Sequence, residues 1–263
     1  MDERFLERMD SHLAGWSDPV ERLRGALDRD EFQLFCQPIL ALNDEVSYPL
    51  GEVLVRLREE ERALVPPGEF LPVFEHFRMM PQLDRWVVRH ALRQLAAGSR
   101  IGCFTINVSG QTIEDPEFSR FVSAQLKAHK VGAEALGFEI DEADALQRPG
   151  AAKRFADACR GVGARVLLDG FGRSAVSFAP VKDLGVQFLK VDGAITRKLT
   201  SSDVARSKLS AIHRVSEALG FSVVAECVED QDVLVHLKAM GVGFAQGFGV
   251  HRPHPIETLA PSP

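Results

Sequence analysis

The segment ALGFEIDEADALQRPGAAKRFADACRGVGARVLLDG, residues 135–170, contains one complete strand–helix–strand unit. Residues 135–142 form a short apolar run that indicates a strand, and residues 164–170 form a second such run. Between them, residues 150–163 have the pattern of a helix that ends at a glycine, a common helix terminator. Two strands separated by such a helix are typical of a parallel β–α–β unit.

The same alternation extends from this unit toward both ends of the chain. Strands are predicted at residues 32–40, 51–57, 100–109, 135–142, 164–170, 221–227 and 242–249, and in the latter part of 181–193. Helices are predicted at residues 81–98, 115–132, 150–163, 202–220 and 230–241, with a short one at the start of 181–193. About eight strands in a chain of this size favour a closed (β/α)8 TIM-type barrel with a parallel sheet, and an open doubly wound sheet is the alternative. The absence of Gly-x-Gly-x-x-Gly after the first strand weakens the dinucleotide-binding form of that alternative.

The domain boundaries follow from the ends of this pattern. Residues 1–30 are predicted to be a helical lead-in, in which Ser17 or Asp18 would be the N-cap before Pro19. Residues 31–256 are predicted to be the barrel. Residues 257–263 are predicted to be a flexible C-terminal tail, because the end of the chain is rich in proline.

Composition restricts the class of protein further. The 263 residues are 45% hydrophobic and 26% charged, which is typical of a soluble globular domain. Lys and Arg number 31 against 37 Asp and Glu, so a nucleic-acid partner is not expected. The four cysteines have no paired spacing and are interpreted as reduced thiols. The sequence has neither a membrane span nor a secretory signal, so a cytoplasmic location is expected.

Polar side chains occur at or near the ends of the predicted strands. They are Glu52, Asn107, Glu139, Glu142, Asp169, Lys190, Asp192, Glu226, Glu229 and Gln246. In a barrel, the C-terminal ends of the strands surround one mouth, where functional groups gather. One carboxylate there is more simply explained as a helix cap, but several sharing one mouth repel each other unless a cation lies between them.

The polar groups at the second to fifth strands point to a hard metal ion. Glu52, Asn107, Glu139 and Asp169 offer only oxygen ligands. Such a set suits Mg²⁺, Mn²⁺ or Ca²⁺ rather than a thiolate-bound Zn²⁺.

Short motifs along the chain resemble those of one protein family. They are QPI at 37–39, EVLVR at 52–56, PPGEFLPVFEHF at 66–77, LDRWVV at 83–88, NVS at 107–109, EIDE at 139–142, KVD at 190–192, AECVE at 225–229 and AQGF at 245–248. In the content and order of these motifs, residues 32–255 resemble the EAL domain family of bacterial cyclic di-GMP phosphodiesterases and receptors. The signature has Val53 where the family usually has alanine.

The resemblance implies a metal-dependent site at the mouth of the barrel. In the family, two metal ions, Mg²⁺ or Mn²⁺, activate a water that opens cyclic di-GMP to linear pGpG, and Ca²⁺ would bind without turnover. By matched position, Lys190 would orient the water, Glu226 would polarise it, and Glu229 would belong to the same catalytic set. The first metal would be held by Glu52, Asn107, Glu139 and Asp169.

The resemblance also implies how the nucleotide would be bound. Arg56 would pair with a phosphate, and Gln246 would support the site. Gln37 and Asp192 would be further ligand-binding residues. Glu142 would brace the loop after the fifth strand.

That loop departs from the family pattern. The family has Asp-Asp-Phe-Gly-Thr-Gly-Tyr-Ser-Ser, whereas residues 169–177 are Asp-Gly-Phe-Gly-Arg-Ser-Ala-Val-Ser. Gly170 stands where the family has a ligand of the second metal, and Arg173 stands where it has threonine. A loss of ~4 kcal/mol of transition-state stabilisation would slow hydrolysis roughly a thousandfold. One hypothesis is that Arg173 reaches toward the mouth and supplies its charge in place of the second cation.

Three functions follow from these observations. The leading one is a cyclic di-GMP receptor or signalling module with little or no hydrolysis. The first alternative is an active metal-dependent phosphodiesterase that produces pGpG. The second alternative is a protein-interaction module without nucleotide binding, which the retained Gln37, Arg56 and metal ligands disfavour. A protein partner, a fused signalling domain and a homodimer through the loop after the fifth strand remain open alternatives.

Overall fold

The architecture is a closed barrel surrounded by helices. A computed structural model describes residue 16 and residues 18–42, 47–58, 64–173 and 176–259. Strands β2 to β8 follow one another around the sheet, and β1 closes it by pairing with both β8 and β2. A short ninth strand pairs with β1 beside β8. The predicted TIM-type (β/α)8 barrel is therefore confirmed.

The described residues form the following elements. The strands are β1 Phe32–Ala41, β2 Ser47–Leu57, β3 Cys103–Val108, β4 Leu136–Asp141, β5 Arg165–Phe171, β6 Phe188–Val191, β7 Ser222–Ala225, β8 Phe244–Ala245 and β9 His254–Pro255. The helices are α1 Pro19–Asp28, α2 Pro67–His76, α3 Met80–Ala97, α4 Gly110–Ile113, α5 Phe118–His129, α6 Glu142–Gln147, α7 Pro149–Gly161, α8 Gly193–Thr196, α9 Asp203–Leu219 and α10 Gln231–Ala239. Two 3₁₀ turns lie at Ala133–Ala135 and Ile256–Leu259.

Helix ends and the core follow ordinary rules. Helix α9 begins after Ser202, whose side chain accepts a hydrogen bond from Ala205 N at 3.3 Å, and ends at Gly220 in the left-handed conformation. The four cysteines are free thiols, as predicted. No helix in the described part of the chain is long and apolar enough to cross a membrane.

The direction of β1 differs from the prediction of a parallel sheet. β1 runs antiparallel to β2, with pairs from Phe32–Leu57 to Ala41–Ser47, and it is also antiparallel to β8. The link between β1 and β2 spans only residues 42–46. An antiparallel pair needs only such a short link, whereas a parallel pair needs a crossover of about a dozen residues or more. The expectation of a parallel sheet is therefore wrong at this strand.

The predicted short helix before β6 is also absent from the described residues. The chain between Phe178 and Leu184 forms successive turns, in which Lys182 N donates to Phe178 O at 2.9 Å and Leu184 N donates to Val181 O at 3.1 Å. The crossover from β5 to β6 is therefore a loop over its described part. This leaves the C-terminal end of β5 without a following helix in these residues.

The structure describes only part of each predicted end segment. Helix α1 lies within the predicted lead-in, and Asp18 is its cap because Glu21 N donates to Asp18 Oδ1 at 3.0 Å. Residues 1–15 and Ser17 lie outside the described residues. Residues 257–259 of the predicted tail belong to a 3₁₀ turn that starts at Ile256, which is 3% exposed, and the flexible tail stays a prediction. Residues 260–263 are not described.

An irregularity in β5 shapes the mouth. Leu168 pairs with Leu189 and Phe171 pairs with Val191, so β5 has one more residue than β6 between these pairs. Asp169 and Gly170 thus lie opposite the single residue Lys190, and the φ angle of Gly170 is 70°. Glycine is the residue that adopts this left-handed conformation most easily, and such bulges redirect the side chains beside them.

Candidate active site at the barrel mouth

The centre of the mouth is the ammonium group of Lys190. This side chain lies on β6 and is 1% exposed. Its Nζ lies 2.6 Å from Glu139 Oε2, 2.9 Å from Glu52 Oε2, 3.1 Å from Asp169 Oδ1 and 3.2 Å from Glu226 Oε1. Carboxylates from β2, β4, β5 and the end of β7 therefore converge on one cation.

The alternation of strand side chains places these groups inside the barrel. Phe138 and Ile140 flank Glu139 on β4 and are fully buried. The Phe138 ring packs against Phe118 of α5 and Phe155 of α7, with centroids 5.6 and 5.9 Å apart. Because neighbouring residues on a strand point to opposite faces, Glu139 points to the barrel interior.

A set of amides holds the Glu52 carboxylate. Asn107 Nδ2 donates to Glu52 Oε1 at 2.7 Å, and Gln246 Nε2 donates to Glu52 Oε2 at 2.7 Å. Gln246 Nε2 also lies 3.3 Å from Gln37 Oε1. The structure thus brings together the predicted residues of β1, β2, β3 and β8 around the Lys190 centre.

The mouth carries more negative than positive charge. Burial, together with the nearby Glu52 carboxylate, raises the pKa of Glu139 to about 8, although Lys190 opposes this shift. Burial and the Asp169 carboxylate likewise raise the pKa of Glu226 to about 8. Burial alone would lower the pKa of Lys190, but its four carboxylates outweigh burial and hold the pKa well above its usual value. Lys190 therefore carries a positive charge, and four carboxyl groups surround its single ammonium group.

The carboxylate oxygens at the mouth are of the chemical type that binds a hard divalent cation. Glu52, Glu139 and Asp169 offer carboxylate oxygens, and Asp169 Oδ1 is buried without a hydrogen bond even though Lys190 lies nearby. Within the described residues, no group of three or more His, Cys, Asp or Glu side chains is arranged to hold a metal ion, and Lys190 lies where the carboxylates converge. Carboxylate oxygens are the ligands that Mg²⁺ and Mn²⁺ prefer.

A second charged group lies beside this centre, at the end of β5. Arg173 Nη1 lies 3.0 Å from Asp141 Oδ2, and Arg173 Nε lies 2.9 Å from Asp192 Oδ2. A Cβ atom added to Gly170 would overlap the Arg173 guanidinium. The sequence analysis considered Arg173 but missed Asp141 as its partner.

The remaining predicted residues lie around the Lys190 centre rather than in it. Asp192 Oδ1 caps α8 by accepting from Ala194 N at 2.9 Å. Glu142 accepts a hydrogen bond from Gly172 N at 3.3 Å, so it contacts the loop after β5. Glu229 pairs with Arg197 at 3.3 Å. Each of these contacts anchors a loop at the mouth.

Arg56 lies on the same face of β2 as Glu52. Its Nη1 donates to its neighbour, the Val55 carbonyl, at 2.8 Å, and its guanidinium lies 5.9 Å from the centroid of the Phe35 ring. Burial lowers the pKa of Arg56, and the Glu52 carboxylate opposes that shift. The guanidinium keeps further donors for an anionic ligand.

Besides Asp141, two residues of the candidate site were missed by the sequence analysis. Thr105 donates a hydrogen bond to Glu139 Oε1, and Arg197 contacts both Glu229 and the Cys227 sulfur. Thr105 is two residues before Asn107 on β3, so strand alternation could have placed both on the interior face. Arg197 follows α8, and no strand pattern marks it.

Two clefts adjoin the mouth, and Leu54 lines both. The larger has a volume of about 510 Å³ and is lined in part by Asn107, Asp141 and Asp144. The smaller has a volume of about 260 Å³ and is lined in part by Glu226, Arg197 and Phe248. Phe248 is 58% exposed, which leaves an aromatic face available at the rim.

Fold and mouth together define a TIM-type barrel whose acidic C-terminal mouth is organised around one lysine. The family model of the EAL domain matches residues 20–253. The chain therefore belongs to the EAL domain family.

Named relatives and a solved structure agree with this assignment. Cyclic di-GMP phosphodiesterase PdeB of Shewanella oneidensis is 28% identical over 238 residues, which cover 89% of this chain and 28% of PdeB. Cyclic di-GMP phosphodiesterase PdeF of Escherichia coli K12 is 30% identical over 244 residues, covering 91% of this chain and 32% of PdeF. The chain thus spans about a third of these relatives. The FimX EAL domain from Pseudomonas aeruginosa bound to c-di-GMP is 27% identical, with a TM-score of 0.84 and coverage of 91% of this chain and 97% of that one.

Proposed function

We propose that this chain binds cyclic di-GMP across the barrel mouth and hydrolyses it slowly or not at all. The observation that carries the proposal is the convergence of Glu52, Glu139, Asp169 and Glu226 on Lys190 at the strand ends. Family membership supports it, because a family member similar to this chain is named as bound to c-di-GMP. The two clefts that Leu54 lines offer space for the two halves of a dinucleotide.

Binding of a phosphodiester at an acidic mouth needs added positive charge. Arg56 would supply part of it. A divalent cation, Mg²⁺ or Mn²⁺, would supply the rest and would stabilise charge that develops on the phosphate. Its ligands would be Glu52, Asn107, Glu139 and Asp169.

Weak hydrolysis follows from the residues beside this centre. Glu226 has a raised pKa and lies 3.2 Å from Lys190, so it is suited to exchange a proton with a water molecule. Gly170, however, has no side chain to offer at the end of β5. Glu52, Asn107, Glu139 and Asp169 would therefore hold one metal ion, and no carboxylate stands at the adjoining position 170.

An active phosphodiesterase is the second candidate. The complete set of residues around Lys190 favours it, as do the names of PdeB and PdeF. In this case the metal ligands that remain would suffice for turnover.

Isothermal titration calorimetry with cyclic di-GMP tests the proposal. Binding is expected with Ca²⁺, which prevents turnover, and is expected to weaken in Glu52→Gln while the exposed control Glu257→Gln behaves as wild type. Incubation with excess Mn²⁺, followed by chromatography for pGpG, then separates the two candidates. Absence of binding with every divalent ion would contradict both and favour a protein-interaction module.

A further inference from the structure

Three strand ends in a row carry carboxylates at the mouth. Asp141 pairs in register with Asp169 across β4 and β5. Asp192 follows β6, and its backbone N–H donates to Phe171 O of β5 at 3.0 Å. Asp141 and Asp192 thus lie on opposite sides of the end of β5, where their charges would repel each other without a cation.

The carboxylates of Asp141 and Asp192 are each held by a backbone hydrogen bond in addition to their contact with Arg173. Asp141 Oδ1 accepts a hydrogen bond from Ala143 N at 2.8 Å, and Asp192 Oδ1 accepts one from Ala194 N at 2.9 Å. The second oxygen of each carboxylate, Oδ2, is the one that pairs with Arg173. One side chain therefore bridges two rigidly held acceptors.

From this geometry we propose that Arg173 is a positioning residue that acts as a resident cation between Asp141 and Asp192 and fixes the loop after β5 without a metal ion. Gly170 makes this arrangement possible, because a side chain at that position would overlap the guanidinium. Arg173 N also donates to Gly170 O at 3.3 Å, which holds the turn that directs the side chain. Gly170 and Arg173 thus act as one unit.

The contribution of Arg173 is charge compensation more than folding stability. Its side chain is 53% exposed, and ion pairs at such sites are screened by water. The two carboxylates raise the pKa of Arg173 further above its usual value, despite a smaller opposing effect of partial burial. The guanidinium therefore keeps its positive charge at neutral pH.

A metal titration without nucleotide tests this inference. We expect Arg173→Gln to bind an additional Mn²⁺, or to bind Mn²⁺ roughly tenfold more tightly than wild type, because two fixed carboxylates lose their cation. Arg173→Lys, which keeps the charge, should stay close to wild type. Arg120→Gln is the control and should titrate as wild type, because within the described part of the chain Arg120 pairs only with Glu117, at the exposed start of α5. Identical Mn²⁺ titrations of wild type and Arg173→Gln would overturn the inference.

A second measurement uses the ligand and rests on the proposed function. Cyclic di-GMP affinity is measured in Arg173→Gln with and without Mn²⁺, and we expect a loss of several-fold that Mn²⁺ restores, relative to wild type under the same conditions. A loss that Mn²⁺ fails to restore would mean that the positive charge of Arg173 is not what the site requires, and would overturn the inference. If wild type does not bind the nucleotide at all, the proposed function fails, while the Mn²⁺ titration still decides the role of Arg173.

Discussion

Lys190 is the residue on which the charge balance of the mouth depends. It is buried and touches four carboxyl groups, so its removal would leave the ionised ones among them without their cation. We expect Lys190→Met to lower the free energy of unfolding of the metal-free protein by about 3–5 kcal/mol.

Urea unfolding with EDTA and with Mg²⁺ measures this effect. Mg²⁺ should recover part of the loss, since it can take over the carboxylates. Lys208→Met, on the exposed face of α9, should show neither effect. A Lys190→Met protein as stable as wild type in EDTA would show that the carboxylates are protonated and do not need the lysine.

Gly170 is the residue whose replacement tests the weak hydrolysis. Gly170→Asp should destabilise the protein by about 1–2 kcal/mol, because φ is 70° there and Arg173 lies in the way. The double variant Gly170→Asp/Arg173→Thr removes the overlap and should form pGpG faster than the single variant. The rates are compared with wild type at saturating Mn²⁺. A wild-type rate equal to that of the double variant would identify an ordinary phosphodiesterase.

Arg56 is expected to bind a phosphate of the nucleotide. Arg56→Ala should weaken cyclic di-GMP binding by roughly 1.5–3 kcal/mol, the contribution of a hydrogen bond to a charged group. The difference should shrink as salt is added, because salt screens charges that water reaches. Arg58→Ala, two residues further on and exposed, is the control. Equal calorimetric affinities of Arg56→Ala and wild type would remove Arg56 from the binding site.

The elements at the end of the described chain belong to the barrel. β9 pairs with β1, and Ile256 is 3% exposed just after it. Ile256→Ala should therefore destabilise the protein by about 2–5 kcal/mol. Chemical denaturation measures the loss, with Glu257→Ala as the exposed neighbour that should change little. A negligible loss in Ile256→Ala would show that this end of the chain adds little to the stability of the barrel.

The pattern of elements was readable from sequence because its signals are local. Apolar runs, helix spacing and terminal glycines mark each element separately, and strand-end polar residues predict what the mouth contains. The direction of β1 was missed because alternation defines a strand but not its partner. The pairing of Arg173 with Asp141 was missed for a similar reason, since residues 32 positions apart meet only through the register of β4 and β5.

The molecule as a whole should respond to pH through its acidic mouth. The pKa values of Glu139 and Glu226 are raised to about 8, so these groups bind protons more readily in the folded than in the unfolded state. The stability linked to this protonation is fully present below the ordinary value of 4.5 and is lost as pH rises through about 8.

Thermal unfolding of the metal-free protein should therefore begin at a lower temperature near pH 8 than near pH 5. Saturating Mg²⁺ should reduce the difference by favouring the ionised carboxylates. Glu139→Gln, which removes one titrating group, is the comparison variant. A Glu139→Gln profile that matches wild type throughout would show that the mouth does not govern the pH response.

Closure of the sheet affects the order in which parts of the mouth come together during synthesis on the ribosome. Gln37 on β1 and Gln246 after β8 lie 209 residues apart in sequence, yet their side chains meet. During synthesis the β1–β2 hairpin emerges early and keeps an exposed edge until β8 arrives. Gln246, which then joins Glu52, reaches the mouth together with the strand that seals the barrel. A nascent chain therefore completes the hydrogen bonds of Glu52 only when the barrel itself is closed.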